Sequence, residues 1–116
     1  MEEAVRSAEV YRKSFAISVC PGENVESPTI VGAQAANELL NVIGIKASFV
    51  LTEYHGKIYV SARSIDEINV QLVMERLGGG GHLNVAGAQL TDCSIEEAKN
   101  IIRGTLDEML KEGDIN

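Results

Sequence analysis

Four consecutive glycines followed by a histidine, Gly78-Gly79-Gly80-Gly81-His82, are the residues of this chain most suggestive of chemistry. Ordering such a run costs conformational entropy. Without Cβ atoms, however, the backbone can approach a ligand closely and turn several N–H groups toward one point, an arrangement that suits an anion. His82 follows at once and can donate a hydrogen bond to a phosphate oxygen. The competing reading is a helix C-cap with surplus glycine, or a flexible linker. Linkers usually carry Ser, Thr or charge around their glycines, whereas this run lies between Leu77 and the largely apolar stretch from Leu83 to Leu90. No Gly-Lys-Ser/Thr follows, so it is not a Walker loop. The spacing and the helical pattern before it also exclude the dinucleotide fingerprint. Gly79, Gly80, Gly81 and His82 are therefore candidate phosphate-binding residues.

Arg63 is the second candidate. It stands at the end of an apolar-polar alternation, leading into Ser64, and strand ends often carry binding groups on a rigid scaffold. A guanidinium pairs bidentately with phosphate; a solvated arginine at a sheet edge is the plainer alternative. Asn69 reads first as a helix N-cap. His55 reads as a turn residue, and Asp66, Glu67, Glu96 and Glu97 as solvated acids near helix starts, favoured there by the helix dipole. No Ser-His-Asp arrangement or pair of carboxylates can be placed together. Cys20 and Cys93 form no C-x-x-C pair, and two histidines offer no ligand cluster for zinc. The sequence holds a place for phosphate and no evident means of cleaving it.

Several elements must position these groups. Residues 1–13 read as a charged N-terminal linker helix, with Val5, Ala8 and Tyr11 or Arg12 at helical spacing. The apolar run Phe15 to Val19 predicts a buried strand, ended by Pro21-Gly22. Ser27-Pro28 opens a helix whose stripe is Val31, Ala35, Leu39 and Ile43, stopped by Gly44. Ala47–Glu53 and Lys57–Arg63 predict two strands joined by a hairpin turn at Tyr54-His55-Gly56. In the second, Ile58, Val60 and Ala62 face one way and Tyr59, Ser61 and Arg63 the other. Val70, Val73, Met74 and Leu77 mark a further helix, which Gly78 closes. Val85 to Leu90 leads into a short strand. Ser94 to Glu97 is a capping box opening a last helix of about four turns, with its stripe at Ile95, Ala98, Ile102, Leu106 and Met109. The fold class this implies is α/β: a single domain over residues 14–116 with a mixed β-sheet, one hairpin and flanking helices.

The chain has 116 residues, 45% of them hydrophobic, with 17 acidic against 10 basic side chains and a net charge of −7. That balance opposes a protein that coats long nucleic acid, while leaving room for a small phosphorylated ligand in one local site. No apolar run reaches membrane-spanning length, and the acidic start lacks a signal-peptide core. The expectation is a soluble, cytoplasmic domain without direct membrane contact.

Ser61-Ala62-Arg63-Ser64, Ile68-Asn69-Val70-Gln71 and Leu77 through Leu83 resemble the DHH-associated (DHHA) domain, the C-terminal partner of the DHH phosphoesterase domain. Gln34-Ala35-Ala36, Leu39-Leu40 and Ala47 to Val50 resemble in particular the cyclic-di-AMP phosphodiesterases of the GdpP or YybT type. The resemblance runs from about Phe15 to the final helix. It implies a substrate-holding domain facing a DHH domain of the same parent chain. That DHH domain would carry manganese, and this one would bind no cofactor. The substrate implied is cyclic di-AMP, cut to the linear dinucleotide. The resemblance assigns substrate contact to Gly79, Gly80, Gly81, His82 and Arg63, and also to Ser64 and Asn69. It implies a membrane-tethered parent and an isolated chain that is folded but inactive; a homodimer stays open. Asn37 stands where the resemblance leads one to expect Asp. An oligoribonuclease or RecJ-like exonuclease acting on short oligonucleotides is the alternative within the superfamily. A non-catalytic nucleic-acid module, like the domain that ends alanyl-tRNA synthetase, is the alternative outside it.

Overall fold

In chain order the elements are α1 (Glu2–Arg6), β1 (Glu9–Tyr11), β2 (Phe15–Cys20), α2 (Pro28–Leu39), β3 (Ala47–Tyr54) and β4 (Lys57–Ser64), then α3 (Val70–Arg76), β5 (Gly80–His82), β6 (Val85–Thr91) and α4 (Ile95–Glu112). They come from a computed structural model that describes residues 2–21, 27–65 and 68–116. Met1, the turn expected at Gly22 and the acids Asp66 and Glu67 lie outside the described residues. The strands form one six-stranded sheet in the order β1-β2-β3-β4-β6-β5. β2 and β3 run parallel, connected through α2, and the other neighbouring pairs are antiparallel. The sheet is mixed, as the sequence implies.

Local chemistry sets most of the boundaries. His55 and Gly56 have φ of 50° and 77°, the positive values of the two-residue turns that match strand twist, so β3 and β4 close into the expected hairpin. Ser27 Oγ accepts from the Ile30 amide and starts α2. Both bonds of the capping box at Ser94 and Glu97 are present, at 3.1 and 2.8 Å. Gly113, left-handed at φ 82°, ends α4.

Three expectations need correction. The N-terminal helix is five residues long and does not reach Lys13: Glu9–Tyr11 instead pairs antiparallel with β2 as the sheet's edge. Arg12 and Lys13 take positive φ, 50° and 72°, which breaks any helix there. α2 ends at Leu39, a turn early. Its backbone tightens there into bonds three residues apart, Asn41 N to Glu38 O and Val42 N to Leu39 O, and Ile43 is left fully exposed. The glycine run is not a loop throughout, because Gly80–His82 is itself a strand, hydrogen-bonded to β6 as a further hairpin.

The two sheet faces are covered unequally. One carries the larger core, in which Phe15, Ile17, Phe49, Leu51, Ile58 and Val60 meet α3 and α4 through Met74, Ile102, Leu106 and Met109. The other face meets α1 and α2 through a smaller cluster around Ala16, Cys20, Ala35, Leu39 and Val50. α2 lies low because Gly32 has no side chain: a Cβ there would sit 2.7 Å from Ser61 Oγ and 3.1 Å from Thr52 Oγ1. Among the described residues no helix is long and apolar enough to cross a membrane.

Candidate functional site

Residues directly opposite in an antiparallel ladder share a face, so the register of three strands lays out a surface. Arg63 of β4 is opposite Val85 of β6, which is opposite His82 of β5. The next row on that face is Ser61, Gly87 and Gly80, and the one beyond it Tyr59 and Gln89. These rows border a cleft of about 620 Å³, with Thr29 of α2 on its rim. Its floor is nearly free of side chains at Gly87 and Gly80. Arg63 and His82 flank one end; Tyr59 and Gln89 stand at the other.

Each glycine of the run has its own physical cause. Gly78, at φ 86°, caps α3, which bears out the capping alternative for that one residue. A Cβ on Gly79 would come 2.1 Å from the Gly87 carbonyl oxygen, and one on Gly81 2.5 Å from Ala86 Cα and from the Val85 carbonyl oxygen. Both are demanded by packing of β5 onto β6, and Gly81 also has φ 144°. Gly80 differs: a Cβ there would meet no atom within 4 Å and its φ is not positive. Nothing in the packing of the described residues requires glycine at residue 80.

Arg63 is half-buried. Its Nη1 donates to the Ala62 carbonyl at 2.8 Å and at the long limit of 3.5 Å to that of Ala86. Among the described residues no carboxylate pairs with it, and burial lowers its pKa from the ordinary arginine value. It stays charged. In a chain of net charge −7, none of the described residues lining the cleft is Asp or Glu. A desolvated cation facing an acid-free cleft favours an anion. His82 is exposed on the edge strand. Ser61, 7% exposed, lines the cleft, and its hydroxyl has no hydrogen-bond partner among the described residues.

Of the seven residues singled out from sequence, the fold brings Gly79, Gly80, Gly81, His82 and Arg63 to one cleft. Ser64 and Asn69 go elsewhere. Ser64 is buried, donates to the Ile68 carbonyl at 2.6 Å and accepts from Asn84 Nδ2 at 2.8 Å, tying the chain after β4 to the β5–β6 turn. Asn69 accepts from the Leu72 amide as the N-cap of α3. Thr29, Gly87 and Gln89 line the cleft without having been singled out. Tyr59 and Ser61 were visible as the polar side of β4, whereas Gly87 and Gln89 owe their place to pairing with it. Among the described residues no three His, Cys, Asp or Glu side chains come together as a metal site. Asn37 lies on the exposed side of α2.

A family model, the DHHA1 domain, matches residues 13–112. The cyclic-di-AMP phosphodiesterase PdeA of Listeria monocytogenes serotype 1/2a (strain 10403S) is 44% identical over 108 residues, which cover 92% of this chain and 16% of that protein. The cyclic-di-AMP phosphodiesterase GdpP of Geobacillus thermodenitrificans (strain NG80-2) is 41% identical over 99 residues, covering 84% and 15%. The chain thus spans about a sixth of the length of these curated relatives. A crystal structure of an exopolyphosphatase-related protein from Bacteroides fragilis superposes with a TM-score of 0.79 at 21% identity, over 91% of this chain and 32% of that one, and so shares the fold.

Proposed function

Since the chain belongs to the DHHA1 domain family, we propose that its cleft is the substrate-holding wall of a phosphodiesterase acting on cyclic di-AMP, with the catalytic groups on a DHH domain of the parent protein. The observation that carries this reading is Arg63: half-buried and, among the described residues, without a carboxylate partner and set in a cleft lined by no acid. Its position across Val85 from His82 places the two donors about 10 Å apart at the backbone, two strand spacings. Their long side chains can then close on one phosphate from opposite sides. Gly80 and Gly87, in the adjoining row, keep the floor beside them low enough for backbone approach.

In this reading the chain binds and orients, while hydrolysis of the phosphodiester to the linear dinucleotide belongs to the DHH domain. Manganese would be held there, as the resemblance to DHH phosphoesterases implies. The names of the two relatives, both cyclic-di-AMP phosphodiesterases, support cyclic di-AMP over a longer strand. With this wall of the cleft alone contributing contacts, binding is weak: a high-micromolar Kd corresponds to only about −5 kcal/mol.

The test is a titration of the chain, followed by backbone amide NMR, with cyclic di-AMP, linear diadenylate and a short RNA. Cyclic di-AMP or its linear product should perturb Arg63, Gly80 and His82 first, and Arg63→Ala should weaken it. Tighter binding of the RNA would favour the exonuclease reading. No perturbation at the cleft would overturn the assignment.

A further inference from the structure

The end of the cleft away from Arg63 and His82 is lined by the polar side chains of Tyr59 and Gln89. Tyr59 and Gln89 are direct Cα partners across β4 and β6, so their side chains stand together on the cleft face. Tyr59 is half-buried and Gln89 exposed. Neither side chain has a hydrogen-bond partner among the described residues. β5 pairs β6 over Val85 to Gly87 and stops short of Gln89, which leaves Gln89 open to the side as well as above. The Ser61–Gly87–Gly80 row between the two ends gives a ligand room to lie flat.

We propose that Tyr59 and Gln89 form a base-holding subsite selective for adenine, with Tyr59 supplying an aromatic surface and Gln89 reading the base edge. This rests on the reading of the cleft as a dinucleotide-holding surface. Tyr59 and Arg63 are four residues apart on one strand, about 13 Å at ~3.3 Å per residue. Once the arginine side chain reaches inward, that is a span suited to a phosphate at one end and the base of the same nucleotide at the other. A carboxamide offers one acceptor and one donor side by side. Read on the N7 edge, which the proposal assigns to Gln89, adenine matches it with an N6 donor beside the N7 acceptor, whereas guanine presents two acceptors there, O6 and N7, and leaves the carboxamide oxygen facing an oxygen. Stacking on an aromatic ring is indifferent to base identity, so Tyr59 adds affinity and Gln89 adds choice.

Inorganic phosphate, linear diadenylate and linear diguanylate, each titrated into the chain by NMR, separate these roles. The wild type should favour the diadenylate by roughly tenfold or more. Gln89→Ala should erase that preference with phosphate affinity unchanged. Gln89→Arg, which brings two donors to the guanine edge, should turn the preference toward the diguanylate. Tyr59→Leu should weaken both dinucleotides about equally and leave phosphate alone. If Gln89→Ala keeps the wild-type preference while Arg63→Ala abolishes binding, the subsite is wrong and the phosphate site stands. If Arg63→Ala leaves every affinity intact, or if the wild type binds neither dinucleotide, the cleft itself is misassigned and the subsite falls with it.

Discussion

The two faces of β4 put different demands on adjacent residues. Ile58, Val60 and Ala62 point into the core beneath α3 and α4 and are almost wholly buried. Tyr59, Ser61 and Arg63 point the other way, where α2 packs over β3 and part of β4 and the cleft opens along β6 and β5. The first face is held by apolar area removed from water, and its residues are interchangeable in kind though not in volume. On the open face, a charged guanidinium, an unpartnered hydroxyl and glycines keep stability below what a packed face would give. Residues one position apart can thus be altered with opposite consequences: loss of fold with the site chemistry untouched, or loss of site with the fold intact.

The largest effect belongs to the covered face. Phe49→Ala or Ile102→Ala should destabilise by about 2–5 kcal/mol, the range for truncating a fully buried large side chain. Chemical denaturation reads this, and any ligand affinity measured on the fraction still folded should be unchanged. A fall in affinity within that fraction would mean that the two faces are coupled. The glycine run provides the same contrast within three residues. Gly81→Ala must push a Cβ into the backbone of β6 at a φ of 144° and should cost roughly 1–3 kcal/mol. Gly80→Ala meets nothing; its stability should hold or rise by up to about 1 kcal/mol, since the unfolded chain loses freedom. The ligand should nonetheless bind more weakly, and more weakly still to Gly80→Val. Equal melting losses at residues 80 and 81 would show the run to be structural throughout.

Next come the donors. Arg63→Ala should reduce affinity for the diadenylate by roughly 1.5–3 kcal/mol, the worth of a hydrogen bond to a charged group. It should not lower the melting temperature, because a desolvated cation with no carboxylate partner among the described residues is removed. His82→Ala, at an exposed edge position, should weaken binding by a similar or smaller amount with no change in melting. Calorimetry and thermal denaturation on the same samples decide both. A melting loss that parallels the affinity loss would assign these side chains to the fold.

How much of this was readable from sequence follows from the range of the interactions involved. β2, β3, β4 and α4 were legible because their signals are local: apolar runs, a turn needing positive φ at His55-Gly56, a capping box at Ser94. Arg63, His82 and the glycines were legible by residue type and spacing. β1 was not. Glu9, Val10 and Tyr11 suit a helix as well as a strand, and what holds them is β2 together with side chains of α4 some 90 positions away. β5 was hidden for the same reason, since Gly-Gly-His has no strand propensity and is extended because β6 pairs with it. Ser64 looked like a ligand next to Arg63, but strand alternation sends its hydroxyl to the opposite face, where Ile68 and Asn84 use it. Gly87 and Gln89 come to line the cleft through register alone.

The smallest expected effect concerns how β1 is fastened to the covered face. Glu9 accepts from Arg103 at 2.5 Å and from Lys99 at 3.0 Å, both on α4. The Arg103 hydrogen bond, followed by that of Lys99, lowers the Glu9 pKa from the usual carboxylate value despite some opposing desolvation. A carboxylate whose pKa is depressed by folding binds fewer protons in the folded chain than in the unfolded one. Its contribution is therefore fully present above the unfolded value, near 4.5, and is lost as the pH falls through the lowered folded value. The pair is partly open to solvent, and screening holds its worth below about 1 kcal/mol. Glu9→Gln should accordingly be slightly less stable than the wild type at pH 7, and the difference should vanish on acidification below pH 4.5. Denaturant midpoints measured across that range test this, and salt should shrink the difference at pH 7. Ligand affinity at pH 7 should be the same in both proteins, because Glu9 supports only the covered face. A weaker ligand in Glu9→Gln would mean that the edge of the sheet reaches the cleft.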